Sequence, residues 1–489
     1  MHNLSIKKKV KLIYPPSPLY QRGEDRCQAN IEASTATSIR ACNDLGYAAS
    51  SLLKIGCDVL LKDYQTEKLS VEILISDLNL EKPDVLFVSV TNGSIYNDLK
   101  IIQQVKSVLP SLIIILKGAL FFNPQKSLFE QLDLSNVDYL VGGESEFIIS
   151  DLIYSHFEDY NNIPNIKGIS YKKDNNWIIN DFDNLWVEDI DSIPFPAREM
   201  MNNSLYVRPD TNEVQATIST SRGCPSSCIF CLTPYISGKK LRLRHPELVF
   251  QEIEECYLKF GIKNFFFKAD TFTFNKEWTL KLCDLIINSS LYNKISWVAN
   301  SRVVPIDLET LQIMKKAGCW LVAFGFESGS QKSLDLMKKG TTVEQNISAM
   351  RLAKKAGLKV FGFFMIGFPW EDLSDLKKTR DLIFKLDADF IELHLATPFY
   401  GTQLYDIALK EKLIDESVLG KDYFNAPTIP TKKLFLEQIQ KYRKSVLLSY
   451  HLRPIYILKK LIYSFNKPKV ILNYFSYGFN LLKNCLIFK

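Results

Sequence analysis

The chain has 489 residues and a net charge of +6, with 46% hydrophobic and 23% charged residues. This length exceeds what one compact core accommodates, so two or three domains are expected. The composition excludes a largely disordered chain. No signal-peptide pattern follows the N-terminus, and no segment reaches the ~18 uncharged apolar residues of a spanning helix, so a cytoplasmic protein is expected.

Basic residues are concentrated at the C-terminal end. Residues 431–489 contain ten lysines and two arginines against one acid, Glu437. This imbalance indicates a local anionic partner and no general binding of nucleic acid. From Ile455 onward, apolar and aromatic residues interleave with lysine. They predict either an amphipathic surface for anionic lipid, with peripheral contact at the inner membrane face, or helices that cover the preceding domain.

The first part of the chain alternates strands and helices. Strands are predicted at 10–14, 57–61, 84–90, 112–116 and 137–141. The helices between them are predicted at 46–53, 70–78, 95–107 and 124–132. Near-continuous Val, Ile and Leu strands between helices indicate a parallel sheet buried on both faces. Residues 1–158 are therefore expected to form a doubly wound, Rossmann-like domain, with its ligand at the carboxyl ends of the strands.

A second alternating series follows a region of different character. Residues 159–212 have Asn- and Asp-rich turns and short polar strands, which predict a hairpin and a linker. Strands are then predicted at 214–220, 263–268, 295–299, 320–325, 358–365 and 389–393. Six strand–helix units over residues 213–415 predict a partial (β/α)6 TIM-like barrel. Residues 416–489 form a helical, basic C-terminal region, with helices at 433–450 and 454–463.

Three of the ten cysteines are clustered, whereas the other seven are scattered and are expected to be reduced. Cys224, Cys228 and Cys231 follow the first barrel strand, which puts them on the catalytic face of a barrel. Three thiolates this close can hold one soft metal centre and leave a coordination position open. A zinc site is the alternative, and it needs a fourth protein ligand, for which His245 is the nearest histidine.

The spacing Cys-x3-Cys-x2-Cys, with Phe230 before the last cysteine, resembles the radical S-adenosylmethionine (SAM) superfamily. The segments Gly325–Ser330, Gly362–Glu371 and Thr397–Thr402 resemble the motifs of that family's fourth, fifth and sixth strands. The resemblance implies a [4Fe–4S] cluster held by the three cysteines and SAM bound to the open iron. It also implies SAM contacts from Phe230, Asp270, Ser301, Arg302, Glu327, Ser328 and Gly367. Asp270 stands where many relatives carry paired acids, and Arg302, Glu327 and Gly367 also admit purely structural roles.

The first domain resembles the cobalamin-binding domain that precedes such barrels. The segments that carry this resemblance are Leu45–Gly56, Lys82–Val85 and Gly142–Glu146. The resemblance implies base-off cobalamin near small and polar residues that follow the strands, namely Thr91, Asn92, Ser94, Gly118, Gly142, Gly143 and Glu144. Two departures are visible. The loop after the second strand has no histidine, and Lys117-Gly118-Ala119 replaces the usual double glycine and histidine.

These resemblances imply a cobalamin-dependent radical SAM enzyme, most simply a methyltransferase acting on a small-molecule or lipid-like substrate. An external electron donor of the flavodoxin or ferredoxin type is implied as well. A cyclase or rearrangement enzyme of secondary, lipid or tetrapyrrole metabolism keeps the same fold and is the first alternative. A non-catalytic zinc protein is the second. The charged loop at 20–28 is expected to face the active-site cleft or to be a solvated loop.

Overall fold

A computed structural model describes residues 4–23, 31, 39–122, 124, 126–174, 176–183, 185–414, 419, 427–465 and 468–486. Two sheets organise this part of the chain. Both are α/β layers, and a group of helices follows the second sheet.

The first sheet has seven strands, in the order β2-β1-β3-β4-β5-β6-β7. Their bounds are β1 Lys9–Tyr14, β2 Asp58–Asp63, β3 Val85–Ser89, β4 Ile113–Lys117, β5 Tyr139–Val141, β6 Ile169–Lys173 and β7 Asn176–Ile179. The helices between them are α1 Asn43–Lys54, α2 Val71–Glu81, α3 Ile95–Val108, α4 Lys126–Gln131 and α5 Ser145–Glu158. Strands β1 to β5 are parallel, whereas β6 and β7 are antiparallel.

The parallel part of this sheet is covered on both faces. Every residue of β3 is buried, as a strand between two helical layers requires. Helices α1 and α5 pack on one face, where Leu45 and Leu152 share a core cluster. Helices α2, α3 and α4 contribute to the cluster on the other face, which contains Leu74, Val105 and Leu128. The doubly wound architecture predicted from the sequence is therefore confirmed.

The hairpin predicted after residue 158 is present and belongs to the first sheet. Tyr139 of β5 lies opposite Tyr171 of β6, and β7 pairs with β6 in turn. The hairpin thus extends the sheet beyond its five parallel strands. Sequence patterns did not indicate this pairing, because hairpin residues carry no local signal for the edge strand that they join.

The second sheet has six parallel strands, in the order β15-β14-β13-β12-β11-β8. Their bounds are β8 Gln215–Ser219, β11 Asn264–Lys268, β12 Ser296–Ser301, β13 Cys319–Glu327, β14 Lys359–Ile366 and β15 Phe390–Leu395. The helices of this part are α6 Thr233–Ile236, α7 Pro246–Phe260, α8 Lys276–Ile287, α9 Leu308–Lys316, α10 Gln331–Leu336, α11 Val343–Lys355, α12 Leu373–Leu386 and α13 Gln403–Lys410. The edge strands β8 and β15 are not neighbours in this order, so the barrel is open, as the predicted partial (β/α)6 barrel requires.

Side chains alternate between the helix layer and the barrel interior. In β14, Val360 and Phe364 belong to the core cluster under the helices. Phe361 and Phe363, between them in sequence, line a cavity inside the barrel. Successive side chains of any strand point to opposite faces. Once a strand is located in the sequence, its inward-facing positions can therefore be identified.

A short two-stranded ribbon stands beside the barrel. It pairs β9 Ser221–Arg222 with β10 Arg242–Leu243 in antiparallel register. All three clustered cysteines lie between its two strands. The ribbon therefore fixes the two ends of the segment that contains them.

Three helices close the chain, α14 Leu436–His451, α15 Pro454–Ser464 and α16 Pro468–Leu486. Tyr456 of α15 donates a hydrogen bond to the carbonyl of Asp389, just before β15. Tyr477 of α16 donates one to the carbonyl of Pro209, just before β8. The last two helices thus contact the chain near both edge strands of the barrel, which supports the interpretation that they cover it. No helix within the described residues has the length and apolar character to cross a membrane.

Candidate active site

The cysteine loop, residues 223–231, begins with a strained turn. Gly223 has φ +82°, and a Cβ atom there would lie 2.1 Å from the carbonyl oxygen of Lys240. Only glycine tolerates both conditions. Cys224 then donates its backbone N–H to the carbonyl of Gly238 at 3.1 Å, which ties the start of the loop to the segment between α6 and β10.

Cys224, Cys228 and Cys231 line one cavity of about 210 Å³ at the carboxyl ends of the barrel strands. Cys224 and Cys228 are buried, and Cys231 is partly exposed. The thiol of Cys231 accepts a hydrogen bond from the backbone N–H of Thr233 at 3.4 Å. Such N–H donors suit the thiolates of an iron–sulfur cluster, whose potential depends on hydrogen bonds to its sulfur atoms. The donor set therefore fits a cluster held by three cysteines.

Arg302 and Glu327, both predicted to contact SAM, line the same cavity and are joined by Lys339. The guanidinium of Arg302 lies 3.6 Å from the thiol of Cys228 and also donates to the backbone carbonyl of Lys339. The ammonium of Lys339 lies 2.6 Å from the carboxylate of Glu327. A cation thus stands directly beside one predicted cluster ligand.

Glu327 has φ +59°, in the left-handed region that non-glycine residues seldom occupy. It ends β13, where the register with β14 shifts. Strain of this kind is typical of functional sites, because the surrounding structure must hold it in place. Here the ion pair to Lys339 holds the carboxylate toward the cavity.

Phe230 also lines the cavity and meets the turn that contains Gly367. Its ring packs edge-on against Phe368, with centroids 5.8 Å apart. Gly367 has φ +91° and donates its N–H to the carboxylate of Glu371, as does Phe368. Gly367 itself is not part of the cavity lining, so its turn reaches the site through Phe368.

Ser301 and Asp270 line the cavity as well, each with a partner on a neighbouring segment. Ser301 exchanges a hydrogen bond of 2.7 Å with Thr273, and Asp270 accepts one of 2.9 Å from Thr233. Ser328 is fully buried outside the cavity lining, with its hydroxyl 3.0 Å from that of Thr379. Of the predicted SAM contacts, the structure brings together all but Ser328 and Gly367, and their roles stay predictions.

Several cavity residues were not identified from the sequence. Glu392 and His394 alternate along β15 and face the cavity, 3.7 Å apart between Oε2 and Nε2. Polar residues at alternate positions of a buried strand were the signal that could have found them. Lys268 at the end of β11 gave a similar signal. Lys339 gave no such signal, because it lies in the loop after α10. Only the tertiary structure shows that this loop lies at the cavity.

His245, the suggested fourth ligand of a zinc site, lies elsewhere. It is the residue before α7, and its ring is exposed and 2.7 Å from Glu247. It is not among the residues that line the cysteine cavity. Across the described residues, no three His, Cys, Asp or Glu side chains, the three clustered cysteines included, lie close enough together to bind a single metal ion. The zinc interpretation is therefore left without a fourth ligand from His245.

The glycines at the predicted cobalamin positions are accounted for by packing within the chain. A Cβ atom at Gly142 would lie 2.0 Å from the carbonyl oxygen of Phe121, and one at Gly118 would lie 2.7 Å from that of Val90. At Gly143, with φ +74°, it would approach Leu185. These contacts explain why glycine occupies the three positions, whether or not a macrocycle binds there.

The polar residues of the same predicted set are buried and engaged. Thr91 and Ser94 hydrogen-bond each other, and Ser94 donates to Asp98 at 2.5 Å. Glu144 binds the guanidinium of Arg242 through both oxygens at 2.6 Å. Asn92 is likewise fully buried. Their roles in binding cobalamin stay predictions.

The strand ends at the switch point of the first sheet are covered by Arg22. The chain leaves β1 for β2 on one side and returns to β3 on the other, which is where such sheets bind ligands. Arg22, fully buried, pairs with Asp98 at 2.8 Å and donates to the carbonyl of Ser89, the last residue of β3. Lys117 is also buried, 3.4 Å from Asp44. In the described conformation, the side chains of Arg22 and Lys117 lie at the strand ends where the corrin is predicted to bind. The rest of the charged loop, residues 24–28, lies outside the described residues.

Comparisons with known proteins bear on this site. Residues 218–383 match the radical SAM superfamily. An uncharacterized methyltransferase of Pyrococcus horikoshii is 30% identical over 416 residues, which cover 85% of this chain and 88% of the relative. The chain belongs to the radical SAM superfamily. Membership implies a [4Fe–4S] cluster and SAM as cofactors, whereas Cys224, Cys228 and Cys231 stay the predicted cluster ligands.

Two further proteins are similar over most of the chain. An anaerobic magnesium-protoporphyrin IX monomethyl ester cyclase of Cereibacter sphaeroides is 26% identical, over 74% of this chain and 59% of the cyclase. The solved structure of OxsB, a cobalamin-dependent radical SAM enzyme with aqua-cobalamin and SAM bound, superposes with a TM-score of 0.69. That match covers 96% of this chain and 72% of OxsB at 19% identity, and it shows the shared fold.

Proposed function

We propose that this radical SAM enzyme transfers a methyl group to an unactivated carbon or phosphinate of a small molecule. The observation that carries the proposal is a single cavity that combines three thiols with Arg302 and Glu327. Gln21, Ile31 and Arg40 of the first domain line the same cavity, so a bound molecule is enclosed from both sides. The relative from Pyrococcus horikoshii, a methyltransferase by name, supports transfer as the reaction.

The chain's own residues have distinct tasks in this proposal. Cys224, Cys228 and Cys231 would hold the cluster. With SAM bound and an electron from the external donor, the cluster would supply radical chemistry for hydrogen abstraction. Arg302 keeps a positive charge beside Cys228, which favours the reduced cluster. Glu327, held by Lys339, presents a carboxylate suited to an ammonium group such as the one SAM carries.

We also propose that the first domain binds cobalamin, which supplies a transferable methyl group when bound. The order of the two domains and the likeness in fold to OxsB support this assignment. Because the guanidinium of Arg22 covers the end of β3, binding requires this side chain to leave the strand ends. A corrin then reaches the predicted positions only in a conformation that differs from the described one.

Anaerobic purification and reconstitution test these proposals. A protein with about four irons per chain, cleaving SAM to methionine and 5′-deoxyadenosine, supports the radical SAM site. With methyl-deuterated SAM, methyl transfer puts the label into the product. Equilibrium dialysis against aquacobalamin tests the second cofactor, and a protein that binds no corrin overturns that part. A colourless protein with one zinc overturns the whole assignment.

A second candidate reaction is anaerobic cyclisation or rearrangement. The cyclase of Cereibacter sphaeroides, similar over 74% of the chain, favours it. The same isotope experiment separates the two reactions, because a cyclase releases product without the deuterated methyl group.

The partners proposed for this reaction are a small-molecule or lipid-like substrate and a reductant of the flavodoxin or ferredoxin type. We propose a cytoplasmic location as well. The lysines and exposed apolar residues of α15 and α16 support a peripheral membrane contact. Sedimentation of the protein with vesicles containing anionic lipid tests that contact, and no binding at low salt overturns it.

A further inference from the structure

The interior of the barrel is hollow below the active site. Side chains fill the interior of a closed barrel in layers, so that it is a core and not a pore. Here a cavity of about 530 Å³ occupies the lower part, a size typical of ligand sites. We call it the lumen chamber. Residues of all six strands line it, and those of β12 to β15 include Val298, Leu321, Ala323, Phe361, Phe363 and Phe390.

The wall of the lumen chamber is apolar, and its charged groups have partners. Arg208 and Asp210 form an ion pair of 2.7 Å. Lys460 donates to the carbonyl of Asp389 at 2.6 Å and lies over the ring of Phe390. Burial lowers the pKa of Lys460 to about 7, as an apolar environment does to an ammonium. The chamber therefore suits a ligand without charge or many hydrogen-bonding groups.

The lumen chamber adjoins the cysteine cavity. Four residues line both spaces, namely Arg40, Asn300, Ala323 and Phe363. Of the three strand residues among them, Ala323 has the smallest side chain. Polar residues such as Lys268, Glu392 and His394 line only the cysteine cavity. An elongated molecule that spans both spaces has its apolar part in the chamber and its polar part beside the thiols.

The other end of the lumen chamber is rimmed by α15 and α16. Ile457, Leu461, Phe475 and Phe479 line the chamber and are also exposed to solvent. Phe475 and Phe479 are 67% and 68% exposed and stand with Ile457 and Leu461 in an exposed apolar patch, a feature that often marks an interaction or ligand site. An apolar rim at the mouth of an apolar cavity gives a hydrocarbon chain a route inward.

We propose that the lumen chamber binds the hydrocarbon chain of an amphiphilic substrate, with the reacting group held at the cysteine cavity. The proposal rests on the proposed function for the position of the reacting group, and it adds the chemical class of the substrate. The chamber excludes water from the chain, and chain length then decides how far the reacting group lies from the thiols.

The experiment uses cis-parinaric acid, a fluorescent fatty acid, with the full-length reconstituted protein. We expect saturable binding that Val298→Trp weakens at least tenfold, because an indole at this inward position fills the chamber. Val108→Trp is the matched control, since Val108 lies exposed on α3, and it binds as the native chain does. Thermal unfolding of both variants verifies that each is folded.

Chain length gives the second measurement. In a series of n-alkanols that compete with the probe, affinity is expected to rise about threefold to fourfold per methylene until the chamber is full. Equal binding by Val298→Trp and the native chain overturns the proposal, as does affinity that does not depend on chain length. If a porphyrin displaces the probe and alkanols do not, the chamber binds a macrocycle, and this result also overturns the proposal. The radical SAM assignment fails separately, through absence of iron or of SAM cleavage, because probe binding does not depend on either.

Discussion

Arg302 is a charged side chain beside a predicted cluster ligand, with its guanidinium 3.6 Å from the thiol of Cys228. A fixed positive charge there stabilises the additional electron of a reduced cluster. Arg302→Gln is therefore expected to shift the cluster's midpoint potential to more negative values. It should slow SAM cleavage roughly 10- to 100-fold. An electron paramagnetic resonance redox titration measures the first effect, and product analysis measures the second.

Arg302→Lys separates charge from geometry. Lysine keeps the positive charge but has no planar fork to reach both Cys228 and the carbonyl of Lys339. The midpoint potential of the cluster in Arg302→Lys should stay near that of the native enzyme, while the rate of SAM cleavage falls. An unchanged potential in Arg302→Gln would contradict the role given to the guanidinium.

Glu371 is a buried carboxyl that holds the turn of Gly367. It accepts hydrogen bonds from the N–H groups of Gly367 and Phe368 and from the hydroxyl of Ser333. Burial, the largest cause, raises its pKa from 4.5 to about 7 despite these donors. The folded protein therefore holds a proton between about pH 4.5 and 7 that the unfolded chain releases.

The sign of the pH dependence follows from this difference. The contribution of Glu371 to the free energy of unfolding is highest below about pH 4.5. It falls by on the order of 3 kcal/mol as the pH rises through 7. Anaerobic urea unfolding at pH 5 and pH 8 measures the difference in stability. In Glu371→Gln, which cannot ionise, this part of the difference should vanish. An identical pH dependence in the variant would show that Glu371 does not titrate in this range.

The cysteine loop depends on one glycine at its first position. Gly223→Ala has to accommodate φ +82° and a Cβ atom 2.1 Å from the carbonyl of Lys240. We expect a loss of about 1–3 kcal/mol in the free energy of unfolding and a lower iron content, because Cys224 follows directly. Iron analysis and unfolding under anaerobic conditions measure both.

Gly261→Ala is the matched control for this substitution. Gly261 ends α7 with φ +65°, but nothing lies within 4 Å of the added Cβ atom. Its effect should be limited to the conformational penalty of about 1 kcal/mol, with the iron content unchanged. Equal loss of iron in the two variants would mean that the clash at Lys240 is not what fixes the loop.

Strands and helices could be predicted from the sequence because hydrophobic periodicity is a local pattern. All six barrel strands lie within a few residues of their predicted bounds. Contacts between distant segments did not follow. The pairing of β6 with β5, the position of Arg22 over β3 and the arrival of Lys339 at the site each join parts of the chain that carry no mutual signal.

The hollow interior of the barrel was also beyond prediction from sequence. Alternation along β13 and β14 identifies Ala323 and Phe363 as inward-facing, but not whether neighbouring side chains fill the space between them. That depends on the summed volumes of several strands and on the two helices that cover the open side. The three cysteines were predictable because their chemistry is encoded within eight residues.

The two α/β units form one packed molecule. A single core cluster contains Leu116 of the first sheet together with Leu232, Ile236 and Phe399 from loops around the active site. Two buried ion pairs cross the same boundary, Arg242 with Glu144 and Arg222 with Glu146. Because both arginines belong to the ribbon that closes the cysteine loop, the first domain helps to hold the predicted cluster ligands in position.

Glu144→Gln tests this coupling. The substitution leaves the buried charge of Arg242 uncompensated, which typically costs about 3–5 kcal/mol. We expect a lower free energy of unfolding and faster loss of iron, although Glu144 itself is not among the cavity-lining residues. Iron retention during anaerobic gel filtration and the midpoint of urea unfolding measure the two effects.

An exposed ion pair between the linker, residues 159–212, and the segment that contains Arg242 provides the control. Glu188 lies one residue after Val187, whose N–H donates to Glu144, and it pairs with Lys240. Both partners are about 70% exposed, so Glu188→Gln should change the free energy of unfolding by less than about 1 kcal/mol and leave iron retention unchanged. The comparison separates burial from charge, since each variant removes one carboxylate that pairs with a basic residue close to Arg242 in sequence. Equal, small effects from both would mean that the apolar cluster alone joins the two units, and that the ribbon holds the cysteine loop without help from the first domain.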